Sequence, residues 1–133
     1  MKTILFLTIV MIIAAGGLAL QVANAQQAEV KRTDLQRHEL PGLDREVVQA
    51  RVEFAPGVAF GKHSHPGEEV IYVIEGSLEY EVDGKPPVTL KAGEVLFIPA
   101  GTIHAAKNAG KGTAAELATY VLEKGKPPLV MVK

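Results

Sequence analysis

The stretch GVAFGKHSHPGEEVIYVIEG, residues 57–76, decides the fold. It holds two of the chain's four histidines, His63 and His65, one residue apart, followed by Glu68 and Glu69. The next five residues, Val70 to Ile74, are β-branched or aromatic, types that fit a pleated, packed surface. On a strand, residues two apart share a face. His63 and His65 therefore point the same way if their segment is extended. On the following strand Glu69, Ile71 and Val73 share an inward face, while Glu68, Val70, Tyr72 and Ile74 form the other. Pro66-Gly67 is the turn signal between the two segments.

The same period-two pattern continues on both sides. Residues 46–54 alternate, with Val48, Ala50, Val52 and Phe54 on one face. Residues 78–82 alternate Leu, Tyr and Val with acidic residues, and Asp83-Gly84 is a hairpin turn signal. Short strands are expected at 88–90, 95–98, 104–108 and 116–123, with an edge strand at 129–132. Leu117, Thr119 and Val121 share one face of the 116–123 strand. Gly and Pro turns separate these pieces. Many short strands at close spacing indicate an all-β, antiparallel double-sheet barrel of the jelly-roll kind. One domain is expected over residues 46–133, preceded by a polar lead-in at 26–45 without clear periodicity.

Residues 1–25 read as a signal peptide. Lys2 starts a basic end, an apolar run follows from Ile4, and Ala23-Asn24-Ala25 places small residues at a cleavage site. A retained membrane anchor is the competing reading, because the apolar run is almost long enough to span a bilayer. Gly16-Gly17 and the Ala-Asn-Ala site favour cleavage, which implies a periplasmic or secreted protein without a stable membrane anchor. The chain carries a net charge of −1 and no basic cluster, so nucleic acid is not an expected partner. It has no cysteine, which excludes disulfides, thiolate metal sites and a cysteine nucleophile.

A third histidine, His104, follows GEVLFIPAGTIH. Three imidazoles and one carboxylate converging inside a barrel suit a divalent transition metal such as iron, manganese, nickel, copper or zinc. Gly57, His63, His65, Glu69 and Gly76 fit the pattern G-x5-H-x-H-x3-E-x6-G. Gly93, Pro99, Gly101, His104 and Asn108 fit G-x5-P-x-G-x2-H-x3-N. In these two blocks, sixteen residues apart, the chain resembles the cupins. The resemblance implies a small double-sheet barrel with His63, His65, Glu69 and His104 as metal ligands. The motif glycines, Pro99 and Asn108 are expected to be structural. His38 is expected to be solvated, and Tyr80 to be a core tyrosine with its hydroxyl satisfied.

Two classes of function fit. One is a mononuclear metal-dependent enzyme on a small organic molecule, with chemistry resembling the quercetin-cleaving dioxygenases favoured and Lewis-acid isomerisation, decarboxylation or elimination as an alternative. The other is a non-catalytic module that binds a metal or small ligand. The inward positions assigned on the strands, Ile71, Val73, Leu78 and Val82, predict an apolar pocket that would take an aromatic ligand. Val70, Tyr72 and Ile74 on the outward face predict a second buried surface and hence a homodimer.

Overall fold

The computed structural model describes residues 30–133. The expected signal peptide and the first residues of the lead-in lie outside the described residues. The described chain forms ten strands and no helix: β1 (Val30–Leu40), β2 (Arg45–Phe54), β3 (Ala59–Ser64), β4 (Gly67–Glu75), β5 (Ser77–Val82), β6 (Val88–Lys91), β7 (Val95–Ile98), β8 (His104–Lys107), β9 (Ala114–Glu123) and β10 (Val130–Met131). Accordingly, no helix among these residues is long and apolar enough to cross a membrane.

Two five-stranded sheets form, in the orders β1-β2-β9-β4-β7 and β10-β3-β8-β5-β6, and every pairing is antiparallel. The expected all-β architecture is present as two facing jelly-roll sheets, with the hydrogen bonding not closed into one continuous barrel. The core lies between them. Val48, Ala50, Val52 and Phe54 from β2 meet Ile71 and Val73 from β4, and Leu78, Tyr80 and Val82 from β5. All of these are inward positions of period-two strands. At about 25 cal/mol per Å² of apolar surface, this interior is the main stabilising term.

Two glycines are required by close approach. A Cβ on Gly67 would stand 1.9 Å from the Val121 carbonyl oxygen, so only glycine lets β4 start against β9. Gly76 has φ +67° and would meet the Thr113 carbonyl oxygen at 2.7 Å, which favours glycine twice over. Asn108 is structural as expected. Its side-chain amide donates to the Phe54 and Gly112 carbonyls and accepts from the Gly110 N–H.

One expectation needs correcting. Most of the polar lead-in is strand β1, paired along its length with β2. Its pattern is inverted relative to a core strand. Val30, Arg32, Asp34 and Arg37 stand opposite Phe54, Val52, Ala50 and Val48, all buried. The polar residues of β1 are thus registered with the inward positions of its neighbour, because this edge strand borders a cavity and solvent rather than dry core.

Candidate metal centre

The histidine pair begins on β3. His63 stands opposite His104 of β8 in the β3–β8 ladder, so two distant stretches of sequence deliver a cross-strand imidazole pair. His65 follows in the link to β4, and Glu69 is the third residue of β4, opposite Tyr120 of β9 and Ile98 of β7. Alternation puts Glu69 on the inward face with Ile71 and Val73. The four side chains are between 2% and 6% exposed. One ligand atom from each lies within 4.8 Å of every other. Glu68, the competing carboxylate, faces outward and binds Arg45 at 2.7 Å.

The proton positions follow from backbone chemistry. His63 Nδ1 lies 2.8 Å from the Gly61 carbonyl, His65 Nδ1 2.7 Å from Pro128, and His104 Nδ1 2.9 Å from Thr102. A carbonyl can only accept, so each Nδ1 carries the hydrogen and each neutral ring turns a bare Nε2 lone pair inward. This is how metal-binding imidazoles are held in one tautomer by their surroundings. Burial pulls His63 down to about 4. It also lowers His65, partly offset by Glu69.

The lone pairs meet a carboxylate. Glu69 Oε2 lies 2.9 Å from His104 Nε2 and 3.5 Å from His65 Nε2. All three atoms are buried without a hydrogen-bond partner, because rings protonated at Nδ1 have no hydrogen to give at Nε2. Buried acceptors crowded in this way are costly, and a cation among them removes the cost. With no ion, a proton serves in part. Burial opposes charging His104, but the Glu69 carboxylate outweighs it and raises His104, while the imidazoles hold Glu69 low against its own burial. The donor set thus fits a divalent transition metal, with nitrogen and hard oxygen ligands and no sulfur.

The site opens into a cavity of about 310 Å³. Part of its lining is apolar, from Val52, Phe54, Phe60 and Ile71. Of the residues expected to line an apolar pocket, only Ile71 does so, while Val73, Leu78 and Val82 pack in the core and Arg32, Glu116 and Tyr120 also line the cavity. The Tyr80 hydroxyl donates to Glu116, as a satisfied core tyrosine should. Burial and the nearby Glu69 charge push Glu116 up to about 8. Arg32 Nη1 donates to the Tyr120 hydroxyl at 3.3 Å, and its guanidinium lies 5.1 Å from that ring. Glu116 and Tyr120 lie on the face of β9 opposite Leu117, Thr119 and Val121. Period-two alternation would have found them had that face been chosen as the inner one. Arg32 had no such signal. His38 is exposed, as expected.

The family model described as a cupin domain matches residues 50–122. The chain belongs to the cupin family. This cupin is 39% identical over 87 residues to germin-like protein subfamily 2 member 2 of Arabidopsis thaliana, covering 61% of the chain and 40% of that relative. It is 36% identical over 74 residues to an oxalate-binding protein of Thermotoga maritima, covering 55% of the chain and 60% of the relative. A solved oxalate oxidase in complex with the substrate analogue glycolate superposes with a TM-score of 0.65 at 30% identity, covering 78% of this cupin and 55% of that structure. The chain therefore spans about two fifths to three fifths of the length of these relatives. Strand β1, with Arg32, lies before the matched segment.

Proposed function

We propose that this cupin is an exported, mononuclear metal-dependent enzyme that oxidises a small organic molecule with dioxygen. One observation carries the reading: three buried imidazoles and a buried carboxylate converge on one cavity, with His65 Nε2, His104 Nε2 and Glu69 Oε2 left without a hydrogen-bond partner. His63, His65, Glu69 and His104 would hold the ion. A bound metal would supply Lewis acidity and, if redox-active, a route to dioxygen.

The protein's own part is positional. The Gly61, Thr102 and Pro128 carbonyls fix the three rings, so the donor geometry is set before any ion arrives. Phe54, Phe60 and Ile71 limit the water around a bound molecule. Burial and the Glu69 charge favour the protonated form of Glu116 inside the cavity. The resemblance to an oxalate oxidase supports oxidative chemistry. The oxalate-binding relative favours a second reading, ligand binding without turnover. Oxygen-electrode assays on iron-, manganese-, copper- and nickel-loaded protein with oxalate, aromatic diols and flavonols separate the two. Substrate-dependent oxygen uptake that is lost in His104→Ala supports the enzyme. Tight ligand binding with no uptake on any loaded form supports the binding module.

The homodimer belongs to the same reading. Val70 and Tyr72 of β4 stand opposite Phe97 and Val95 of β7 on the outward face, and Tyr72, Phe97 and Val95 are 47%, 54% and 64% exposed. Such a contiguous apolar patch suits burial against a second copy. Light scattering at micromolar concentration should give twice the chain mass, and a monomer would count against it.

A further inference from the structure

Two arginines line the cavity, and Arg32 is the one that also contacts Tyr120, a neighbour of the metal centre; its acidic partner Asp34 lines the cavity as well. Arg32 Nε binds Asp34 at 2.8 Å, and Asp34 is largely exposed. Its Nη1 reaches the Tyr120 hydroxyl. Guanidinium carries five N–H donors in a planar fork, so donors remain among these contacts. Arg37, the other cavity arginine, is already committed to Glu46 at 2.7 Å. The Tyr120 ring contacts both Arg32 and the metal centre, its centroid 4.7 Å from that of His65. Arg32 is also registered through Val52 with Glu116.

Alongside this cation and the four clustered residues, the cavity is lined by apolar Val52, Phe54, Phe60 and Ile71. A volume of about 310 Å³ falls at the lower end of organic-ligand pockets, roughly 300–1,000 Å³. A two-carbon diacid such as oxalate would leave the apolar wall uncovered. We propose that the cavity selects a small organic acid with an apolar body, its carboxylate on Arg32 and an oxygen-bearing head toward His63, His65, Glu69 and His104. Arginine suits this because its fork grips a carboxylate with two parallel hydrogen bonds. The selecting residue thus comes from β1, outside the matched cupin domain. The proposal rests on the metal-centred reading above.

The test uses ligands that differ only in the carboxylate. Metal-reconstituted protein is titrated calorimetrically with catechol, 3,4-dihydroxybenzoate and oxalate, with metal content measured on every sample. The wild type should bind 3,4-dihydroxybenzoate at least about tenfold tighter than catechol. In Arg32→Gln the preference should vanish while the catechol Kd stays within about twofold. Arg32→Lys should restore part of it, and unchanged metal content and circular dichroism show that the variants are folded. Equal binding of the two diols by the wild type, binding of oxalate alone, or a preference that survives in Arg32→Gln overturns the proposal. Failure to take up metal overturns the reading beneath it and the proposal with it. Metal uptake without diol binding overturns the proposal alone.

Discussion

At the residue scale the centre is explained by three backbone carbonyls. Each takes the Nδ1 hydrogen of one histidine, which leaves each Nε2 a lone pair, and those of His65 and His104 face Glu69. Truncating His104 removes one donor and leaves Glu69 Oε2 facing His65 alone. Metal content in His104→Ala should fall from about one ion per chain to near none by elemental analysis. Glu116 gives a pH prediction. Its folded-state value, raised to about 8 by burial and the Glu69 charge, lies above the ordinary 4.5. The folded state therefore keeps a proton that the unfolded chain releases, and stability falls as pH rises from about 4.5 through 8. The slope is at most about 1.4 kcal/mol per pH unit. Chemical denaturation of metal-free protein across this window should show a loss that Glu116→Gln flattens. The four clustered residues were legible because two spaced motifs carry them. Arg32 was not, because a lone arginine in a polar segment carries no periodic signal; only its register with Val52 reveals it.

At the scale of the element, alternation was the readable quantity. It fixed the inner faces of β2, β4 and β5, since each sets apolar residues against polar or outward ones. It failed on β9, where Leu117, Thr119 and Val121 are as apolar as Ala118, Tyr120 and Leu122, and the polar Glu116 lies on the buried side. It failed on β1, whose inward register carries charge. Two predictions belong here. Gly67→Ala forces a Cβ onto the Val121 carbonyl; overpacking of this kind costs about 1–3 kcal/mol, and Tm should fall on the order of 10 °C in a thermal melt. The C-terminal strand supports the metal centre without supplying a ligand. Pro128 holds His65, and β10 pairs Met131 with His63. Ending the chain after Gly125 should weaken metal affinity by about 10–100-fold in a competition titration with a chelator, with all four ligands still present.

At the scale of the molecule, the two sheets form a container with different walls. The nitrogen and oxygen donors of the cluster, apolar side chains and a cation from β1 line one cavity. The outward face of β4 and β7 is apolar where solvent would favour charge. Replacing Tyr72 and Phe97 together by Glu should turn the expected dimer into monomer by light scattering, with metal content unchanged, because neither residue reaches the centre. The central claim is that the four-residue cluster holds one ion. The most direct test is elemental analysis of protein exported and purified without chelator, beside His63→Ala/His104→Ala. Near-stoichiometric transition metal is expected in the wild type, and its loss in the double variant. Metal-free wild type whose Tm does not move on adding iron, manganese, nickel, copper or zinc would contradict it.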